Sequence, residues 1–105
     1  MITPRAITRL LTYAARQPWG SEYRASLPVG GVDGTLAGRF ADPALKGKVF
    51  AKTGTLSEVH GLSGYLVAAS GKTLTFSVIV NDRTPTGDAA RVAMDKIVAA
   101  VAAAN

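Results

Sequence analysis

The chain is 105 residues long, 48% hydrophobic and 18% charged, which excludes a disordered polyelectrolyte and allows a folded unit that buries about two thirds of its surface. Its formal charge of +5 is scattered, with Arg5, Arg9 and Arg16 at helical spacing and Lys46 and Lys48 apart from them, so an anionic substrate or polymer suits it better than nucleic acid. The absence of cysteine excludes disulfides and a thiolate nucleophile, a lone histidine, His60, argues against a His-based metal cluster, and no apolar run reaches the ~18 residues of a membrane span or forms a signal peptide.

Thr3 before Pro4 is an N-cap followed by proline at the first helical position, and predicts a helix over residues 4–16. Ile7, Leu10, Leu11 and Ala14 recur at i, i+3, i+4 and i+7 as its apolar face, with the arginines outside. Pro18 and Gly20 stop it. Ser21 is then expected to cap a shorter helix over Glu22–Leu27, closed by Pro28. Tyr13, Trp19 and Tyr23 near this junction read as a small aromatic core patch rather than a ligand-stacking set.

Pro28–Leu36 holds three glycines and a proline and is read as a connecting loop, with a turn of helix over Thr35–Phe40. It lacks both G-x-x-x-x-G-K-[ST] and G-x-G-x-x-G, so it is not read as a nucleotide site. From Lys48 the period changes to two. Strands are predicted over Lys48–Thr55, Gly61–Ala69 and Leu74–Val80, the last two joined at the hairpin signal Ser70-Gly71. The polar stretch 81–87 breaks the pattern, and Asp88 caps a final helix to about Ala103, with Val92, Ile97, Val98 and Val101 among alanines. The expected fold class is therefore α/β of the α+β type, with two N-terminal helices and antiparallel strands packed by a C-terminal helix. One sheet face and both edges stay uncovered in that arrangement, so residues 1–105 are expected to be a single partial domain.

Chemistry concentrates at the end of the first strand, in Lys52-Thr53-Gly54-Thr55. A cation, two hydroxyls and a glycine let an extended backbone lie close to an anionic ligand with donors along its edge. The triplet Lys-Thr-Gly alone is a weak signal, but here it ends an apolar strand and returns through Gly and Ser into an antiparallel partner. It is also the third active-site motif of penicillin-binding proteins and serine β-lactamases, beside S-x-x-K and S-D-N.

The ordered set Ser26-Leu27-Pro28-Val29-Gly30-Gly31-Val32-Asp33-Gly34-Thr35-Leu36, Lys52–Ser57, Gly61-Leu62-Ser63-Gly64-Tyr65 and Val78–Asp82 resembles the C-terminal part of the D-alanyl-D-alanine carboxypeptidase/endopeptidase family. These are the low-molecular-mass class C penicillin-binding proteins of peptidase family S13. The resemblance implies a β-lactamase/transpeptidase-like fold and a serine acyl-transfer enzyme. Its partners would be peptidoglycan stem peptides and β-lactams, its location periplasmic or otherwise extracytoplasmic, and it would use no cofactor or metal. It further implies that Lys52 puts positive charge beside the substrate's terminal carboxylate, that Thr53 donates to that carboxylate, and that Gly54 admits the substrate. The backbone N–H of Thr55 would be one of two oxyanion-hole donors, with its hydroxyl also near the carboxylate.

No serine here is followed three positions later by lysine, and no Ser-x-Asn occurs. The nucleophile, the lysine base and the middle motif are thus expected outside these residues. Glu58 and His60 follow the motif without an assigned role. A pairing of His60 with Ser57 or Ser63, oriented by Asp33 or Asp82, is a further arrangement that only geometry decides. The alternative to an enzyme is a non-catalytic module that holds an anionic peptide or glycan on the Lys52–Thr55 edge.

Overall fold

The computed structural model describes residues 3–56, 59–81 and 88–105. Helix α1 spans Pro4–Ala15 and helix α2 Gly20–Ala25; a 3-10 turn follows at Gly34–Leu36, then strands β1 (Val49–Leu56), β2 (Val59–Val67) and β3 (Thr73–Asn81), and helix α3 (Asp88–Ala104). The strands form one antiparallel sheet in the order β1-β2-β3. Ser57, Glu58 and the 82–87 stretch with Asp82 lie outside the described residues.

The start of α1 is as the sequence dictates, with the Thr3 hydroxyl accepting from the Ala6 N–H at 3.1 Å. The start of α2 is not. It begins at Gly20, and Ser21 lies inside it rather than capping it. The chain passes close to α1 at this point: a Cβ at Gly20 would stand 2.8 Å from the carbonyl oxygens of both Ala14 and Ala15. Gly20 instead donates its N–H to the Gln17 carbonyl at 2.9 Å.

Val49, Ala51, Leu62 and Leu66 share one sheet face with Leu36, Phe40 and Leu45 from the preceding loop and Met94, Val98 and Ala102 of α3. The buried residues of α3 fall at every fourth position from Ala90, one stripe of a helix. Of the apolar residues noted in this helix, Val98 is buried whereas Val92, Ile97 and Val101 are exposed. Arg39 clasps Asp95 through Nε at 3.1 Å and a second N–H, fastening the loop to α3.

The second sheet face is covered in part, at its Tyr65 and Thr75 end, where the expectation was that it stays open; Lys52, Gly54 and Ile79 on the same face remain exposed. Helix α1 lies there: the Tyr65 hydroxyl donates to the Leu11 carbonyl at 2.6 Å, and the Thr12 and Thr75 hydroxyls meet at 3.4 Å. Only Leu11 and Ala14 of α1 are buried, whereas Leu10 is 64% exposed. The aromatic core patch is also corrected. Tyr13 and Trp19 are 59% and 45% exposed, and Trp19 meets Tyr23 edge-on at the surface with 6.3 Å between centroids.

The Pro28–Leu36 loop does more than connect. Gly30 donates to the Val49 carbonyl at 2.8 Å and Ala51 donates to the Pro28 carbonyl at 3.0 Å, so the loop covers the first half of the outer edge of β1. At the other end of the sheet the Ser70-Gly71 turn forms as expected, with Gly71 at φ +88° and Ala68 donating to the Lys72 carbonyl at 2.8 Å.

Two predictions follow from this packing. A Cβ at Gly64 would collide with the Phe50 carbonyl oxygen and sit 2.6 Å from the Ala51 Cα. Gly64→Ala should therefore lower the urea midpoint by an amount equivalent to about 1–3 kcal/mol or more, as overpacked sites do. Burial raises the Tyr65 phenol above its ordinary pKa, aided by Tyr23 and opposed by Arg24. The folded state thus favours the protonated phenol, so this contribution is complete below the unfolded value of 10.0 and is lost as pH climbs through the higher folded value. Tyr65→Phe should cost ~1 kcal/mol at neutral pH, and its denaturation midpoint should fall less steeply with alkali than that of the wild type.

Candidate functional site

Beyond Ala51 the loop makes no further backbone hydrogen bond to the outer edge of β1 among the described residues. Because hydrogen-bonding directions alternate along a strand, the residues whose N–H and C=O groups face outward are those in step with Val49 and Ala51. Thr53 and Thr55 are the next two. Among the described residues, the loop's backbone pairing with this edge stops at Ala51, so two outward N–H groups and two carbonyls line a short free edge.

The side chains alternate independently. Thr53 and Thr55 lie on the face shared with Val49 and Ala51, while Lys52 lies on the opposite face, across from Ser63. Lys52 nevertheless returns to the edge: its Nζ donates to the Thr53 carbonyl at 2.7 Å. That places an exposed ammonium beside the outward backbone groups, and a second cation follows on the same face. The Arg24 guanidinium lies 4.2 Å from the centroid of the Phe50 ring, one strand position back on that side. Both charges favour an anion laid along this edge.

Each threonine hydroxyl has a neighbour from another element. The Thr53 hydroxyl donates to Thr35 Oγ1 at 3.4 Å, and Thr55 Oγ1 stands 3.3 Å from His60 Nδ1. Thr35 belongs to the 3-10 turn, held in place because the Asp33 carboxylate accepts from the Val29 N–H at 2.8 Å. Read from the sequence, this stretch is a connector with a turn of helix over Thr35–Phe40; the turn observed is Gly34–Leu36, and the sequence assigns the Thr35 hydroxyl no partner. Its sequence signal was limited to three glycines and an aspartate, which shape the loop without saying which strand it meets.

The register also decides one of the serine pairings considered for His60. Ser63 points to the face opposite His60, where its hydroxyl meets that of Ser77 at 2.8 Å. His60 and Ser63 therefore do not form a catalytic pair. Ser57 and Asp82 lie outside the described residues, and Asp33 is occupied in its own loop.

Gly54 is the most telling residue of the edge. It lies opposite Gly61, and a Cβ built at Gly54 would meet nothing within 4 Å. The fold does not require glycine there. A glycine in a strand interior costs stability and packing, and here it leaves the backbone open on the side where a side chain would fit.

The comparisons with known proteins agree on what this arrangement is similar to. The sequence profile described as the D-Ala-D-Ala carboxypeptidase 3 (S13) family matches residues 1–102. The chain belongs to this family. It is 43% identical over 86 residues to a D-alanyl-D-alanine carboxypeptidase of Actinomadura sp., covering 77% of this chain and 16% of that protein. It is 33% identical over 90 residues to the D-alanyl-D-alanine carboxypeptidase DacB of Haemophilus influenzae, covering 84% and 19%. In three dimensions this S13 chain matches the crystal structure of H. influenzae penicillin binding protein 4 with a TM-score of 0.72 at 32% identity, over 79% of this chain and 19% of that one. A second structure of the same protein, complexed with a novel β-lactam, matches with a TM-score of 0.70 at 33% identity, over 76% and 19%. The chain thus spans less than a fifth of the length of these relatives, and its helices and antiparallel sheet have the fold of the corresponding part of penicillin binding protein 4.

Gly54 and Gly64 should respond oppositely to the same substitution. Gly54→Ala is expected to leave the urea midpoint unchanged or raise stability by up to ~1 kcal/mol, through a less flexible unfolded chain, where Gly64→Ala lowers it.

Proposed function

We propose that this chain belongs to a serine-type D-Ala-D-Ala carboxypeptidase or endopeptidase that acts on peptidoglycan stem peptides outside the cytoplasm. On this reading residues 1–105 are one part of a β-lactamase/transpeptidase-like domain. They supply the wall that holds the substrate's carboxylate and the reacting carbonyl oxygen. The observation that carries the proposal is the free edge of β1 beyond Ala51, where outward backbone donors, two hydroxyls and an ammonium coincide with a glycine that the fold does not need.

The chemistry assigns the roles. Lys52 supplies positive charge beside the peptide's terminal carboxylate, and the Thr53 hydroxyl, which donates to Thr35 Oγ1 in the free chain, turns its proton to it. Gly54 leaves room for the peptide to lie flat against the strand. The outward N–H of Thr55 points where negative charge develops on the carbonyl oxygen during acyl transfer, and one such fixed donor is worth on the order of 3 kcal/mol. The serine nucleophile and its lysine base come from outside these residues, since neither Ser-x-x-Lys nor Ser-x-Asn occurs among them. β-Lactams carry a carboxylate and a strained carbonyl at comparable spacing, so the same edge receives them.

The test is a titration of the full chain with an N-acylated Lys-D-Ala-D-Ala peptide, followed by amide NMR. The largest shifts should fall on Thr53, Gly54 and Thr55. Lys52→Met should weaken binding about tenfold or more, as loss of a charged hydrogen-bonding partner does, and Gly54→Ala should weaken it while keeping the fold. Labelled penicillin should leave no covalent adduct on these 105 residues. A stable acyl adduct, or shifts that avoid the edge, would overturn the proposal.

A further inference from the structure

His60 lies directly across from Thr55 in the β1–β2 ladder. Opposed residues share a face with Cβ atoms about 5 Å apart, so the 3.3 Å approach of Nδ1 to Thr55 Oγ1 follows from strand register rather than from a loop. On its other side His60 is opposite Val80, which packs against the core. The ring thus sits in the ladder between the position of Val80 and that of Thr55, and its Nδ1 meets the hydroxyl at the end of the edge.

A threonine hydroxyl has a single proton to direct. Where Nδ1 donates to Thr55 Oγ1, the threonine proton is free to turn toward an anion on the edge. Where Nδ1 accepts, that proton is held against the imidazole and the edge presents lone pairs, which repel a carboxylate. The imidazole thus decides which polarity Thr55 offers.

We propose that His60 is a positioning residue that turns the Thr55 hydroxyl toward the terminal carboxylate of the bound peptide, an inference that rests on the reading of the Lys52–Thr55 edge given above. It acts through Thr55 and does not touch the reacting atoms. An amide at this position reaches Oγ1 with a comparable donor, whereas an aliphatic side chain does not.

Four chains carry the test: wild type, His60→Leu, His60→Asn and Thr55→Val, with the double variant of Thr55→Val and His60→Leu closing the cycle. Each is titrated with the same N-acylated Lys-D-Ala-D-Ala peptide after circular dichroism confirms its fold. His60→Leu should weaken binding about fivefold, and His60→Asn should stay within about twofold of wild type. In the Thr55→Val background His60→Leu should have no further effect, which a purely structural role for the ring would not produce. A second measurement needs no peptide: the His60 Nδ1 nitrogen shift should move in Thr55→Val. Equal peptide affinity of wild type and His60→Leu overturns this inference and leaves the edge as a carboxylate site. An unmoved Nδ1 shift overturns it as well. Absence of any peptide response at Thr53–Thr55 in wild type overturns the reading of the edge, and the role for His60 with it.

Discussion

Two backbone hydrogen bonds, from Gly30 to the Val49 carbonyl and from Ala51 to the Pro28 carbonyl, set where the sheet ends and where the site begins. An edge strand left open along its length would present a template for unwanted pairing. Here the glycine-rich loop covers the first half and then turns away through the Val29–Asp33 bond and the Gly34–Leu36 turn. The remaining edge is only as long as Thr53–Thr55. It is too short to recruit a strand of ordinary length.

The same loop ties the site to the core. Leu36 is fully buried immediately after Thr35, so the residue that meets the Thr53 hydroxyl is anchored by an apolar neighbour. Further on, Arg39 grips Asp95 of α3 with two N–H groups on one carboxylate, a geometry that guanidinium and carboxylate share. Core packing, loop path and edge length are one construction, and a change that loosens Leu36 would be felt at Thr53.

Two glycines of the β1–β2 pair show how stability and function divide the ladder. Gly64 is demanded from within, because the Phe50 carbonyl and Ala51 occupy the space of its side chain. Gly54 has open space where a Cβ would go, so nothing inside these residues demands glycine there. Ten residues apart in sequence, they are held by different constraints. Where a local choice disagrees with what the fold prefers, as at Gly54, a functional site is the expected cause.

The amino-acid sequence by itself determined the kinds of element and their order, because periods of 3.6 and 2 and the Thr3-Pro4 and Ser70-Gly71 signals are local. It also carried the Lys52–Thr55 motif and the resemblance that placed it in a family. The tertiary structure alone decided which faces and edges are used. Periodicity says that a helix has an apolar side but not how much of it meets a partner, so Leu10, Tyr13 and Trp19 were assigned inward and lie outward. It likewise says nothing of what covers the second sheet face, where α1 lies. Thr35 and His60 were read as a loop residue and a lone histidine, since their partners Thr53 and Thr55 are set by loop path and strand register. Those are relations between distant segments, and spacing along one segment does not contain them.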